Sequence, residues 1–265
     1  MHVPSRQQTV ADEHIYGVHA VLAALQAGQR RVEKILCEVR RGDARLRRII
    51  ELASCREIPI EMVSNGQLQR LLGHAQHQGV VAVVTPLGYH PFAAVLASLA
   101  QAMGPYTLLL LDGVTDVGNF ATLIRSAAAF GVEAILLPRH RSVGLTPVVA
   151  KRSTGAVERM MVVQVVNVVH ALEDLKRAGC WIYGADAGAA LTVAEVQWPE
   201  RVVLVVGAEG RGIRRLVRVH CDTLVRIPMR AGIDSLNTAV AGSIILSSLW
   251  AQRVAGNQAP SPSCR

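Results

Sequence analysis

Asn119 and Arg125, six residues apart in "VGNFATLIRSA", could together hold an anion. The apolar run before them ends at Asp112, passes through a polar turn and continues as a helix. Asn119 then falls in the first helical turn, where unpaired backbone N–H groups and the positive dipole end face any anion. Arg125 follows less than two turns on, near enough to help hold a phosphate. A plainer reading makes Asn119 the N-cap and Arg125 a solvated surface residue. A second cluster is "LVVGAEGRGIRRL" (204–216), an apolar run that ends in Gly207, Gly210 and Gly212. Their order, G-x-x-G-x-G, fits neither the dinucleotide fingerprint nor the P-loop. Glu209 in the middle is awkward beside a pyrophosphate, so the loop suggests a ligand that is not a polyphosphate. It could equally be a tight turn with Glu209 facing solvent. The third cluster is Ser235-Leu236-Asn237. Asp234 or Ser235 could cap a helix there, or the two polar side chains could wall a site beside Leu236. Small residues Ala239, Ala241, Gly242 and Ser243 would let another element pack closely on that helix. Together the clusters put polar groups at the C-terminal ends of three strands, where open α/β sheets bind ligands.

The elements that must position these groups follow from the pattern. From residue 106 onward, strands are predicted at 106–112, 133–138, 159–165, 180–185, 201–206 and 223–228, and helices at 118–130, 167–178, 212–219 and 235–252. Strands rich in Val, Ile and Leu without alternation imply a parallel sheet covered on both faces. Before them lies a small α/β unit. It reads as a helix at 17–26, a strand at 34–39, an amphipathic helix at 43–54 and a strand at 58–63. Ser64 and Gln67 form a possible capping box for the next helix, and "GVVAVV" (79–84) is the last strand. The expected divisions are a tail at 1–12, an N-terminal domain at 13–86, a linker at 87–104 with a helix of its own, a second domain at 105–254 and a Pro/Ser-rich tail at 255–265.

The chain has 265 residues, 51% hydrophobic and 18% charged, enough to bury a sizeable core. No apolar run reaches the roughly 18–20 residues of a membrane span, and residues 1–12 lack a signal-peptide core. The expectation is a soluble, cytoplasmic protein that engages no membrane. Five scattered cysteines without a C-x-x-C pair suggest neither disulfides nor a metal site. The net charge is +8, carried almost wholly by arginine, with Lys34, Lys151 and Lys176 the only lysines. Arginine's planar fork suits phosphate, though base composition alone also favours arginine. The charge is spread over both domains, so nucleic-acid binding would need folded patches. "RRGDARLRR" supplies one candidate, with Arg40, Arg41, Arg45, Arg47 and Arg48 on a loop and helix start. It could instead be a solvated helix face.

Three ordered motifs, "DGVTDVGNFATLIRSA", "VVGAEGRGIRRL" and "IPMRAGIDSLNTAVA", resemble the SpoU family of RNA ribose 2′-O-methyltransferases, in the SPOUT class. Within it the chain most resembles the bacterial 23S rRNA guanosine-2′-O-methyltransferase subgroup. The resemblance covers about residues 14–252. "IYGVHAVLAAL" and "HQGVVAVV" resemble the family's substrate-binding domain. The resemblance implies a parallel α/β sheet whose C-terminal part is threaded into a trefoil knot, which topology rules would not propose. It implies S-adenosylmethionine as cofactor, without a metal, and a homodimer with active sites shared across the interface. A cofactor without phosphate also fits the unusual glycine loop, whose glycines would let main-chain groups approach it.

Carried over by position, Asn119, Arg125, Glu209, Ser235 and Asn237 match the family's catalytic polar residues. Gly207, Ile227, Met229 and Leu236 match its cofactor-pocket positions. Arginine is a poor general base, so Arg125 is read first as a phosphate clamp and a stabiliser of developing charge. Two departures stand out. The first motif usually reads Asp-Pro-x-Asn-x-Gly, and here Val117 replaces the proline and Ala121 the glycine. The leading expectation is 2′-O-methylation in large-subunit rRNA. The alternatives are tRNA ribose methylation and a non-catalytic RNA-binding protein on the same fold.

Overall fold

The computed structural model describes residues 12–38, 44–73, 76–232 and 235–258. Both predicted tails lie mostly outside these residues, as do Arg40, Arg41 and Asp234. The chain forms two compact units. One comprises the chain up to Gly88 together with Leu145–Arg159, and the other comprises Tyr89–Gly144 and the chain from Met160 onward.

The first unit carries a four-stranded sheet. Its strands are β1 (Glu13–Tyr16), β2 (Val32–Glu38), β3 (Ile60–Val63) and β4 (Val80–Val84), in the order β1-β4-β2-β3. β4 is buried along its whole length and pairs antiparallel with both β1 and β2. Three helices accompany the sheet: α1 (Val18–Ala27), α2 (Ala44–Ser54) and α3 (Asn65–Leu72). The capping box at Ser64 and Gln67 is formed, with each residue's side chain bonded to the other's backbone N–H. The stretch Leu145–Arg159 adds a short helix (Pro147–Arg152) and a 3₁₀ turn (Ala156–Arg159), which pack on β1 and α1.

That added stretch supplies the unit's buried charge. Arg30 and Glu158 have side chains only 2% and 0% exposed and form an ion pair. Arg30 Nε donates to Glu158 Oε2 at 2.9 Å, and its Nη1 reaches Glu13 at 3.3 Å and the Thr85 carbonyl at 3.4 Å. A buried ion pair of this kind is tolerable only when its remaining donors are satisfied, and here they are.

The second unit is a seven-stranded sheet in which every neighbouring pair is parallel. Its strands are β5 (Tyr106–Asp112), β6 (Ala134–Pro138), β7 (Met161–Val165), β8 (Trp181–Ala185), β9 (Leu191–Thr192), β10 (Arg201–Gly207) and β11 (Thr223–Arg226). The order is β7-β6-β5-β10-β8-β11-β9. β5 and β6 are buried at every residue, as a sheet covered on both faces requires. Helices α4 (Phe92–Gln101), α5 (Val117–Ala129), α7 (Val168–Arg177), α8 (Arg215–Val219) and α9 (Thr238–Gln258) accompany them, with α6 being the Pro147–Arg152 helix of the first unit. β10 inserts between β5 and β8 and so creates the switch point at which open α/β sheets bind ligands.

α5 and α9 pack against each other. A side chain at Gly242 would collide with Leu123 Cδ2, 2.6 Å from an added Cβ, so the small residue is what permits the close approach. The Ser126 and Ser243 hydroxyls join the two helices at 2.7 Å. No helix among the described residues is long and apolar enough to cross a membrane.

Candidate active site

The second unit's loops form two cavities at the C-terminal ends of its strands. The larger, about 650 Å³, is lined from the ends of β8, β10 and β11 and the start of α9. The smaller, about 460 Å³, is lined from the ends of β5 and β6 and the other side of the β10 loop. Ala208, Glu209, Arg211, Gly212 and Thr238 line both, so the β10 loop is the wall between them.

The wall is a small closed ring. Ala208 N donates to Gly212 O at 3.1 Å and Gly212 N donates back to Ala208 O at 2.8 Å. Gly210 and Gly212 take positive φ of 74° and 65°, conformations that glycine adopts without a Cβ penalty. A side chain at Gly207 would run into the backbone of Gly212 and Ile213. The glycines are therefore required by the loop's own packing. The sequence had suggested approach to a ligand as their reason.

Asn119, Glu209 and Asn237 meet across this wall. Asn119 Nδ2 donates to Glu209 at 3.1 Å, and Asn237 Nδ2 donates to Asn119 Oδ1 at 2.9 Å. Each of the three predicted clusters thus contributes one side chain to a single hydrogen-bonded chain. The caps differ from the plainer expectations. Asp116 caps α5, accepting from Asn119 N at 2.7 Å, so Asn119's side chain is free for Glu209 and Asn237. α9 begins at Thr238, three residues later than predicted, and Asn237 Oδ1 accepts from Ala239 N at 2.9 Å and Val240 N at 3.3 Å. The side chain of Asn237 both caps a helix and reaches Asn119.

Gly207, Ile227, Met229 and Leu236 all line the larger cavity, as do Ser235 and Asn237. Arg125 is not with them. It is exposed on α5 and lines neither cavity. Val117 occupies the first turn of α5, which Asp116 caps without a proline, and Ala121 is buried, so both departures from the usual motif are accommodated. In the first unit, Arg45, Arg47 and Arg48 are exposed on α2, with Arg48 3.3 Å from Glu51.

Three features were missed from sequence. Asp112, wholly buried at the end of β5, accepts from Arg214 N at 2.8 Å and Arg214 Nε at 2.7 Å, tying the β10 loop to β5. A lone carboxylate closing the run "LLLLD" was its only signal. Arg141 and Arg211 line the smaller cavity; Arg211 stands inside the glycine motif without having been singled out, and Arg141 lies outside the three motifs. Burial pushes the thiols of Cys37 and Cys180 up to about 11 and that of half-buried Cys221 up to about 12, away from the nucleophilic thiolate form. Among the described residues, no group of three or more His, Cys, Asp or Glu could hold a metal ion.

Comparison with known proteins accords with this geometry. The SpoU rRNA methylase family matches residues 106–247, and the RNA 2′-O ribose methyltransferase substrate-binding family matches residues 14–90. The chain is 37% identical over 249 residues to the 23S rRNA (guanosine-2′-O-)-methyltransferase RlmB of Coxiella burnetii, covering 94% of this chain and 98% of that one. It is 38% identical over 243 residues to RlmB of Pseudomonas syringae pv. tomato, covering 92% and 97%. The fold resembles that of the SpoU methyltransferase AviRb from Streptomyces viridochromogenes in complex with AdoMet, with a TM-score of 0.77, 24% identity and 96% and 95% of the two chains covered. With its motifs joined at one wall and its relatives matched nearly end to end, the chain belongs to the SpoU rRNA methylase family.

Proposed function

We propose that this chain transfers the methyl group of S-adenosylmethionine to the ribose 2′-hydroxyl of a guanosine in 23S rRNA. The observation that carries the reading is the Asn237–Asn119–Glu209 chain on a wall shared by two cavities. Two reactants can be held there, one on each side, and holding them in line is much of what a methyl transfer requires. The relatives named for 23S rRNA and for AdoMet support the substrate and cofactor assignments.

The larger cavity suits S-adenosylmethionine. Ile227, Met229, Leu236 and Ile245 give it apolar surface, and it contains no lysine or Walker-type phosphate cradle. Ser235 and the Asp186–Arg218 pair, 2.6 Å apart, add polar groups for ribose or amino-acid atoms. When bound, the cofactor supplies a methyl group activated by a sulfonium. This chain's own residues orient the acceptor. Asn119 and Asn237 fix Glu209, and Ser235 stands at the same rim.

A ribose hydroxyl is a weak nucleophile, so its developing negative charge needs stabilisation. We assign that role to Arg125, acting in the cavity of a second copy. Arg125 is exposed on α5, and the adjoining α9 exposes Val240, Ile244 and Trp250. An apolar face of this kind beside a cation suits a homodimer in which Arg125 completes the partner's site. The C-terminal trefoil knot belongs to the same reading, supported by the insertion of β10 between β5 and β8 and the return of α9 onto α5. Arg45, Arg47 and Arg48 of the first unit would contact RNA phosphates, giving affinity without sequence choice. Action on ribosomal RNA puts the protein in the cytoplasm.

The test is methyl transfer from labelled S-adenosylmethionine to unmodified 23S rRNA and, separately, to unmodified tRNA, with Arg125→Ala beside the wild type. Label at a guanosine ribose of 23S rRNA, lost in the variant, is the expected result. Label only in tRNA would move the substrate, and no label in either would remove the catalytic reading. Mixing Arg125→Ala with an Asn119→Ala chain should restore about a quarter of the activity in a shared-site dimer, by random pairing, and none in a monomer.

A further inference from the structure

The smaller cavity is lined by three arginines and three carboxylates, yet among the described residues only one of these arginines, Arg214, is paired with a carboxylate. Its acidic lining residues are all engaged: Asp112 by Arg214, Asp116 by the Asn119 N–H, and Glu209 by Asn119 Nδ2. Arg141 and Arg211 also line it, and neither has a hydrogen-bond or ion-pair partner among the described residues. None of the four residues matched to the cofactor lines this side, so the cavity belongs to another ligand. Its 460 Å³ falls within the range of about 300–1,000 Å³ typical of ligand sites.

The backbone at Arg141 points the same way. Its φ is +60°, in the left-handed region that a long side chain rarely adopts. Such a conformation is unfavourable for a residue with a Cβ and persists only where the surroundings enforce it. They do so here. Arg139 N donates to Val165 O at 2.9 Å, Ser142 Oγ to Pro138 O at 2.5 Å, and Val143 N to Val114 O at 3.3 Å. The loop is pinned on both sides of Arg141, and a glycine at this position would be easier to fold.

We propose that Arg141 and Arg211 form a seat for the phosphodiester next to the target ribose, holding the 2′-hydroxyl against the Asn119–Glu209 pair. The seat rests on the methyltransferase reading above and adds to it a place for the acceptor strand. Two guanidinium forks can grip one phosphate with paired N–H···O bonds. A phosphate contact fixes register without reading sequence, so guanosine choice lies elsewhere. An unstacked nucleotide of the kind proteins select in RNA loops could reach such a cavity.

The test uses Arg141→Gly, which removes the cation and relieves the strained φ; an unchanged urea midpoint separates loss of the contact from misfolding. Arg141→Lys keeps the charge but not the fork. Three quantities are read on each full-length protein: S-adenosylmethionine affinity by calorimetry, binding of an unmodified 23S rRNA fragment across a salt series, and methyl-transfer kinetics. For Arg141→Gly the expected results are cofactor affinity within twofold of wild type, a plot of log K against log salt shallower by about 0.7, and a tenfold rise in KM for RNA. Arg141→Lys should recover the slope but not the full rate. An unchanged slope for Arg141→Gly, or a tenfold loss of cofactor affinity, overturns the seat. A wild type that binds RNA and cofactor yet methylates nothing overturns the functional reading instead, and the salt slope still judges the seat.

Discussion

Arg30 and Arg141 occupy opposite extremes. Arg30 in the first unit is 2% exposed and directs its donors to Glu158, Glu13 and a backbone carbonyl. Arg141 in the second unit lines a cavity, stands exposed on a left-handed backbone and has no partner among the described residues. The first is a cation whose hydrogen bonds are completed by the fold. The second is a cation that the fold holds in place while leaving its donors free. Arg214 lies between them, half-exposed yet bound through its backbone and side chain to buried Asp112. Exposure therefore does not separate structural arginines from functional ones. What separates them is whether the donors are used and whether the backbone is forced.

The contrast breaks first at Glu158. Glu158→Ala would leave Arg30 charged and buried, costing about 3–5 kcal/mol, read as a fall in the urea midpoint. Arg30→Met with Glu158→Leu should recover most of that loss. A single-variant cost below about 1 kcal/mol would show that this pair is not structural. Next comes the wall between the cavities. Gly207→Ala puts a Cβ into the Gly212 backbone and should cost about 1–3 kcal/mol of stability. It should also weaken S-adenosylmethionine binding at least tenfold, about 1.4 kcal/mol, by calorimetry. Asn119→Ala disconnects Glu209 from Asn237 and should lower kcat roughly tenfold, with cofactor affinity within threefold. Equal losses in both would make Asn119 a cofactor contact. The smallest effect is expected at Arg48, exposed and paired to Glu51. Arg48→Ala should change stability by less than about 0.5 kcal/mol, while the salt dependence of rRNA binding becomes shallower by about 0.7 in slope if Arg48 touches a phosphate.

Much of the second unit was legible because its strands are buried on both faces. The apolar runs of β5 and β10 have nothing to alternate with, and their predicted bounds fall within a residue of the observed ones. β1 and β9 were not found. Each is short, and each depends on partners distant in sequence, β4 and β11. The Pro147–Arg152 helix did leave a signal, Thr146 followed by Pro147, and Thr146 caps it at 3.3 Å. Asn119, Glu209 and Asn237 were recognisable as polar residues near strand ends, but their mutual bonding depends on sheet order, which local pattern does not encode. Arg141 was invisible because its significance lies in a dihedral angle and in an absence of partners.

The bond between Arg30 and Glu158 also bears on the timing of folding. The first unit's sheet is complete once Val84 has been made, yet the countercharge for its buried arginine lies more than seventy residues further along the chain. At bacterial and eukaryotic synthesis rates of about 5–20 residues per second, roughly 4–15 seconds separate the two. During that interval the nascent sheet carries an arginine without its final partner. The first unit therefore cannot finish folding until part of the second has been made, and a fragment ending at Gly88 would not reproduce it.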